Sequence, residues 1–83
     1  MNNTEKIKSA LTVAFPQATS ITTEGRPGSD NVLAFITLGG TCPSLSIYNL
    51  ASAQTIASAK NVEIVNFVGN LDGSIFASVI FGF

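Results

Sequence analysis

Few side chains in this sequence could do chemistry near neutral pH, and the most reactive of them is the single cysteine, Cys42. Cys42 lies between Thr41 and Pro43, just before a predicted helix, and a thiol at a helix N-terminus can have a lowered pKa and act as a nucleophile. The chain has no histidine, so the usual general base for such a nucleophile is missing. We therefore expect an inert loop cysteine, and an enzyme acting through Cys42 is the alternative.

Two further features of the same region could bind a ligand. The pair Gly39-Gly40 could bring backbone N–H groups towards a phosphate at the start of the predicted helix, but a plain strand-to-helix turn is also typical of such a pair. Tyr48 could contact a ligand or do chemistry, but a tyrosine on a helix more often packs against its neighbours. We predict the plain turn and the packing role.

The acidic residues are scattered along the chain. No two of them have the spacing of metal ligands or of a catalytic pair, so we expect each to be a solvated surface charge. They are Glu5, Glu24, Asp30, Glu63 and Asp72. The sequence therefore predicts a protein that is not an enzyme and that has no cofactor and no metal site.

Composition narrows the choice of partners and compartment. The net charge is −1, and charged residues make up 11% of the chain against about 25% in an average domain. The four basic residues are scattered, which argues against nucleic acid and anionic membranes as partners. A lone cysteine, no visible signal peptide and no run of ~20 apolar residues predict a cytoplasmic protein.

The chain is short for the amount of apolar surface it carries. Its 83 residues form one domain, which buries only roughly 60% of the surface that the unfolded chain exposes. One cysteine cannot add an intrachain disulfide to that small core. Because charges are few, apolar area should stay exposed on a monomer. A second copy of this chain is therefore the expected partner, and another protein is the alternative.

Hydrophobic periodicity predicts two helices. Asn3 or Thr4 caps the first one, and Pro16 ends it. The second runs from about Ser46–Lys60, and Asn61 stops it. The inner faces are Ile7, Ala10, Leu11, Ala14 and Phe15 in the first helix and Ile47, Leu50, Ala51, Ala53 and Ala57 in the second.

Four β-leaning segments are separated by turns. Two of them are more polar, which suits the edges of a sheet, and two are apolar on both faces, which suits its centre. Asp72-Gly73 is a hairpin signal before the last segment. In chain order the segments are Ala18–Gly25, Val32–Leu38, Val62–Val68 and Ile75–Phe81.

These elements predict an α+β domain, a two-layer αββαββ sandwich. Its four-stranded, mostly antiparallel sheet has the order first, second, fourth, third, with the two helices on one face. The arrangement is ferredoxin-like, circularly permuted so that a helix leads. The crossover between the second and third strands, which run parallel, passes over the second helix.

The other face of this sheet has no helix to cover it. Two registers are open for the fourth strand, because both of its faces are apolar. We expect the bulkier set to pack against the small-faced second helix, which leaves Phe76, Ser78 and Ile80 outward beside alternate residues of Val32–Leu38. These three residues are the predicted oligomer interface.

The passage from the second helix into the third strand resembles a known family. Ala53, Ala59 and the run Asn61-Val62-Glu63-Ile64-Val65-Asn66-Phe67 are similar to a passage in bacterial microcompartment shell domains. There an alanine-rich helix leads into a strand of the type Asn-Val-Glu-Leu-Val-Gly-Tyr. A glycine-bearing loop and a strand ending in glycine follow in the family, and Val79-Ile80-Phe81-Gly82 is similar to that strand.

The resemblance implies a non-enzymatic, self-assembling structural protein, a shell-type homo-oligomer whose domain is circularly permuted. It also implies that the loop Gly69-Asn70-Leu71-Asp72-Gly73 is a pore or ligand loop. The chain departs from the family in two places, since the family's edge lysine would fall on Ser58 and the loop lacks the family's Gly-Ser-Gly pattern.

Another function remains open. A small protein- or ligand-binding module, such as a dimeric ferredoxin-like domain or a phage-type inhibitor, would also use an uncovered sheet. The helix ending Ala14-Phe15-Pro16, followed by Ala18–Glu24, is similar to the start of BolA-like domains, whose histidine this chain lacks.

Overall fold

The computed structural model describes residues 2–39 and 47–83 and has the predicted order of elements. Two helices and four strands form an α+β domain, and the predicted αββαββ order is confirmed. The elements are α1 (Asn3–Ala14), β1 (Ala18–Gly25), β2 (Val32–Leu38), α2 (Ile47–Ala57), β3 (Asn61–Gly69) and β4 (Ile75–Gly82).

The four strands form one sheet in the order β1-β2-β4-β3, which the sequence predicted. Each neighbouring pair is antiparallel, so β2 and β3 run in the same direction with β4 between them. The two strands that are apolar on both faces are therefore central, and the two more polar strands are the edges.

Side chains of β2 alternate between a buried and a half-buried set. The buried set packs with the inner residues of both helices and with alternate residues of β4, so α1 and α2 cover the same face of the sheet. This core consists of Ile7, Ala10, Leu11, Phe15, Val32, Ala34, Ile36, Leu38, Leu50, Ala53, Ala57, Ala77, Val79 and Phe81.

The N-cap of helix α1 lies one residue before the predicted caps. The side-chain oxygen of Asn2 accepts a hydrogen bond from the backbone N–H of Glu5 at 2.9 Å, so Asn2 is the N-cap. It also accepts one from the Thr4 hydroxyl at 2.6 Å. Asn3 and Thr4 have the right side chains for a cap, but they are already helical, so their prediction as caps was wrong.

Both ends of the described chain contact the β1–β2 turn. The side-chain amide of Asn3 donates to the backbone oxygen of Asp30 at 3.2 Å. The backbone N–H of Phe83 donates to the side-chain oxygen of Asn31 at 3.3 Å. The start of α1 and the end of β4 therefore lie beside the same turn.

Helix α2 ends at Ala57, three residues earlier than predicted. The backbone N–H of Ser58 donates to the backbone oxygen of Thr55, and that of Ala59 donates to the backbone oxygen of Gln54. These two bonds form the Schellman pattern of a helix C-terminus. Ser58 has a φ of 58° there. Lys60 and Asn61 therefore do not end the helix, and Asn61 begins β3 instead.

The inner face of α2 is also narrower than predicted. Leu50, Ala53 and Ala57 are buried, whereas Ala51 is exposed. The Gln54 side chain donates to the backbone oxygen of Lys60 at 2.9 Å, which ties the end of the helix to the entry of β3.

Replacing Ser58 by glycine should stabilise the protein. A residue other than glycine costs roughly 1–2 kcal/mol in the left-handed conformation, and the greater freedom of glycine in the unfolded chain removes part of that gain. We expect Ser58→Gly to raise the free energy of unfolding by about 0.5–1 kcal/mol, measured by urea denaturation. Ser52→Gly, at an exposed position inside α2, should lower it by about as much. A less stable Ser58→Gly protein would contradict this account of the helix end.

Candidate functional site

The side chains that could take part in catalysis or bind a ligand are not brought together. All five acidic residues are exposed, and no group of three metal-ligating residues forms in the part of the chain that the structure describes. Tyr48 is 87% exposed, so its predicted packing role was wrong. Cys42 and Gly40 lie outside the described residues, so the inert thiol and the plain glycine turn stay predictions.

The sheet face opposite the helices, here called the open face, has an apolar centre. In the β2–β4 register, Leu33 stands opposite Ile80 and Thr37 stands opposite Phe76. Since Ala77, Val79 and Phe81 are buried on the helix side, Phe76, Ser78 and Ile80 point the other way. Of the two registers left open by the sequence, β4 adopts the one that puts these three residues outward.

Two aromatic rings stack on each other in the middle of the open face. Phe35 and Phe76 are diagonal neighbours on adjacent strands, with ring centroids 5.8 Å apart and ring planes at 21°. Diagonal cross-strand pairs are within reach of aromatic side chains. Ser78, which stands opposite Phe35, is only 7% exposed. Its burial without a helix above it indicates that the neighbouring side chains cover it.

Polar residues flank this apolar centre on both sides. Residues opposite each other in a sheet share a face, so the registers of β1 and β3 identify the edge residues of the open face. They are Ser20, Thr22 and Glu24 on β1 and Glu63, Asn66 and Val68 on β3. Five of these six are polar, and an apolar centre with a polar rim is the usual composition of a protein interface.

The strand β3, which the sequence predicted at an edge of the sheet, is largely exposed. Ile64, Val65, Phe67 and Val68 are each 39–55% exposed. Beside β3, on the helix side, lies an open groove of about 390 Å³, here called the β3 groove. It is lined by Leu50, Ala51, Gln54, Val62 and Ile64. The feature of the sequence that could have indicated this groove is the inner face of α2, which consists mostly of small side chains.

The predicted pore or ligand loop is the hairpin connection between β3 and β4. The side chain of Asp72 accepts hydrogen bonds from the Ser74 hydroxyl at 2.7 Å and from the Ser74 backbone N–H at 2.9 Å. The Asn70 side chain also donates to the Ser74 hydroxyl oxygen. The Ser74 hydroxyl and then its N–H hold the pKa of Asp72 below its usual value.

Comparisons with known proteins give no relative. No family model, curated protein or solved structure matches this chain. None of the helices in residues 2–39 and 47–83 is long and apolar enough to cross a membrane.

Titration of Asp72 tests the geometry of the loop. Because its pKa is lowered by folding, the ionised carboxylate stabilises the loop above the pH at which an ordinary aspartate titrates. That contribution is lost as the pH falls through the lowered pKa. Ser74→Ala removes the hydroxyl donor, and the Asp72 midpoint, followed by NMR, should then move up towards 3.8.

Ser29→Ala is the matched control for this titration, because Ser29 lies in the β1–β2 turn and bonds to Asn31. It should leave the Asp72 midpoint unchanged. Equal midpoints in the wild-type and Ser74→Ala proteins would show that the Ser74 hydroxyl does not hold the carboxylate in solution.

Proposed function

We propose that this chain is a non-enzymatic structural protein that assembles with copies of itself through the open face of its sheet. The observation that supports this function is the apolar centre of that face, which consists of Leu33, Phe35, Phe76 and Ile80. Both helices lie on the opposite side, so no helix in the described chain covers these residues. A second copy would bury them.

Burial of these side chains would contribute favourably to association. Full burial of a leucine, isoleucine or phenylalanine side chain contributes roughly 1.5–3 kcal/mol. The four side chains are half-buried already, so each contributes only a part of that value. A contact between two copies buries eight of them, and their sum offsets the loss of translational and rotational freedom on association only if the faces fit closely.

The charges on the open face favour one orientation of the two copies. Glu24 stands opposite Leu33 and Glu63 stands opposite Ile80, so both carboxylates lie at the same end of the face. The other end carries Ser20 and Val68 instead. Two copies avoid repulsion between like charges when these acidic ends point in opposite directions.

The proposal includes a shell-type assembly, in which several copies form a ring. Its support is the resemblance of Asn61–Phe67 to a strand of microcompartment shell domains. In such an assembly the loop Gly69–Gly73 is the pore or ligand loop, and the domain is a circularly permuted version of the family's. The size of the particle distinguishes a ring from a dimer.

A binding module for another protein is the second candidate function. The observation that favours it is the β3 groove, which is apolar and open to solvent. A module of this kind is a monomer or a dimer, so light scattering at several concentrations separates it from a ring. If the wild-type chain stays monomeric at high concentration, the assembly proposal is contradicted and the binding module remains as the candidate function.

Placing a charge on the open face should reduce the size of the assembly without unfolding it. Ile80→Lys puts an ammonium group among the apolar side chains that association would bury, and burial of an unpaired charge is strongly unfavourable. We expect a folded protein of smaller mass, measured by sedimentation velocity and circular dichroism. If Ile80→Lys keeps the wild-type mass, the open face is not where copies meet.

Two control variants complete this test. Val79→Lys changes the neighbouring residue, which is fully buried against the helices, and should unfold the protein. Val13→Lys adds the same charge at an exposed position on α1 and should leave both fold and mass unchanged. Loss of fold in Ile80→Lys with a folded Val79→Lys protein would reverse the assignment of the two faces.

A further inference from the structure

The edge strand β3 presents its outer side, with much apolar surface, to solvent. It has β4 on one side and, among residues 2–39 and 47–83, no strand on the other. The backbone N–H of Phe67 donates to the side-chain oxygen of its own neighbour Asn66 at 3.0 Å. An edge strand with apolar side chains and without proline or lysine is a template for pairing with another chain.

A β-bulge decides which residues of β3 share a face. Val65 has no partner in β4, because the register shifts between Ile64 and Asn66. Ile64 therefore stands opposite Val79 and Phe67 stands opposite Ala77, and both partners are buried on the helix side. Phe67 thus lies on the same face as the β3 groove, three residues along the strand from Ile64, where regular alternation would put it on the open face.

We infer that β3 pairs antiparallel with β3 of a second copy about a two-fold axis between Ile64 and Val65. In this register Phe67 of each copy stands opposite Val62 of the other. The aromatic ring of Phe67 in each copy then lies over the β3 groove of the other copy, which Val62 and Ile64 line. The two sheets join into one sheet of eight strands.

This pairing is self-complementary, as a two-fold interface requires. The groove lies at the first half of β3, and the exposed Phe67 lies at the second half on the same face. In an antiparallel pair, the first half of β3 in one copy lies beside the second half of β3 in the other copy. Because Phe67 is 53% exposed, its ring still has apolar area to bury there.

The charges of β3 fit the same register. Glu63 is the only charged residue of the strand, and it shares the open face with Asn66. In the proposed pair Glu63 stands opposite Asn66 of the other copy, whose amide can donate to the carboxylate. A strand pair centred on Glu63 would instead set two carboxylates side by side, which is destabilising.

The largest area that such a contact could cover reaches the lower end of the range of specific interfaces. The nine residues of β3 span about 30 Å, and the two shorter dimensions of the molecule are 22 and 18 Å. A contact of that length and width covers on the order of 600 Å² per copy, or about 1,200 Å² in total, which is the lower end of the usual range. The pairing extends the self-assembly proposed above, but it uses an edge and a groove rather than the open face.

Engineered cysteines test the register directly. In a Cys42→Ser background, Glu63→Cys and Asn66→Cys together should form a disulfide between copies, since Cα atoms opposite each other are about 4.5–5.5 Å apart and a disulfide needs about 4.4–6.8 Å. Within one copy the two positions are about 10 Å apart, which is too far. Mild oxidation should therefore give a species of twice the 8.6 kDa chain mass on a non-reducing gel.

The matched control is Glu63→Cys alone, which faces an asparagine in the proposed register and should cross-link only slowly. Phe67→Ala added to the two cysteines should slow cross-linking about tenfold or more, because it removes the ring from the groove. Leu71→Ala, which truncates an exposed apolar residue outside the pair, should leave the rate unchanged. Equal cross-linking of the single and double cysteine variants, none in either, or no effect of Phe67→Ala would overturn the pairing.

Repeating the experiment with Ile80→Lys separates the two proposals. Cross-linking that persists in Ile80→Lys supports the β3 pair whether or not the open face associates. If Ile80→Lys keeps the wild-type mass while the cysteines cross-link, only the open-face proposal fails. If Ile80→Lys reduces the mass and the cysteines do not cross-link, only the β3 pairing fails.

Discussion

The structure depends on one constraint: two central strands are apolar on both faces, and both helices lie on the same side of them. Alternate side chains of β2 and β4 fill the core, and Val32, Ile36, Val79 and Phe81 have almost no exposed surface. The remaining side chains of these strands must point the other way. They form the open face, where stacking of the two phenylalanine rings covers part of the apolar surface.

The length of α2 determines what happens at the outer edge. Its eleven residues span about 16 Å, whereas the nine residues of β3 span about 30 Å. The helix therefore cannot cover the whole strand that it leads into. Ser58 ends the helix in a left-handed conformation, and the Gln54 side chain holds the following turn. Phe67 remains uncovered as a result.

The two exposed surfaces have different physical characters. The open face has an apolar centre between polar edge residues, and its backbone hydrogen bonds are already made within the sheet. The edge of β3 offers backbone groups as well as apolar side chains, so a contact there combines a strand ladder with burial. If copies meet at both surfaces, as we propose, assemblies larger than a dimer follow, because each copy then contacts two others.

The sequence by itself determined the order of the elements, the strand order and the alternating faces of β2, because side-chain alternation along a strand is a local property of the backbone. It did not determine the end of α2, the cap at Asn2 or the exposure of Phe67. The helix end depends on hydrogen bonds from Gln54 to the chain beyond it, and the face of Phe67 depends on a bulge formed only when β3 pairs with β4. Asn2 was not singled out because Asn3 and Thr4 beside it also have capping side chains. Only the tertiary structure decided the helix end and the face of Phe67, because both depend on contacts that form when the chain beyond α2 packs back and pairs with β4.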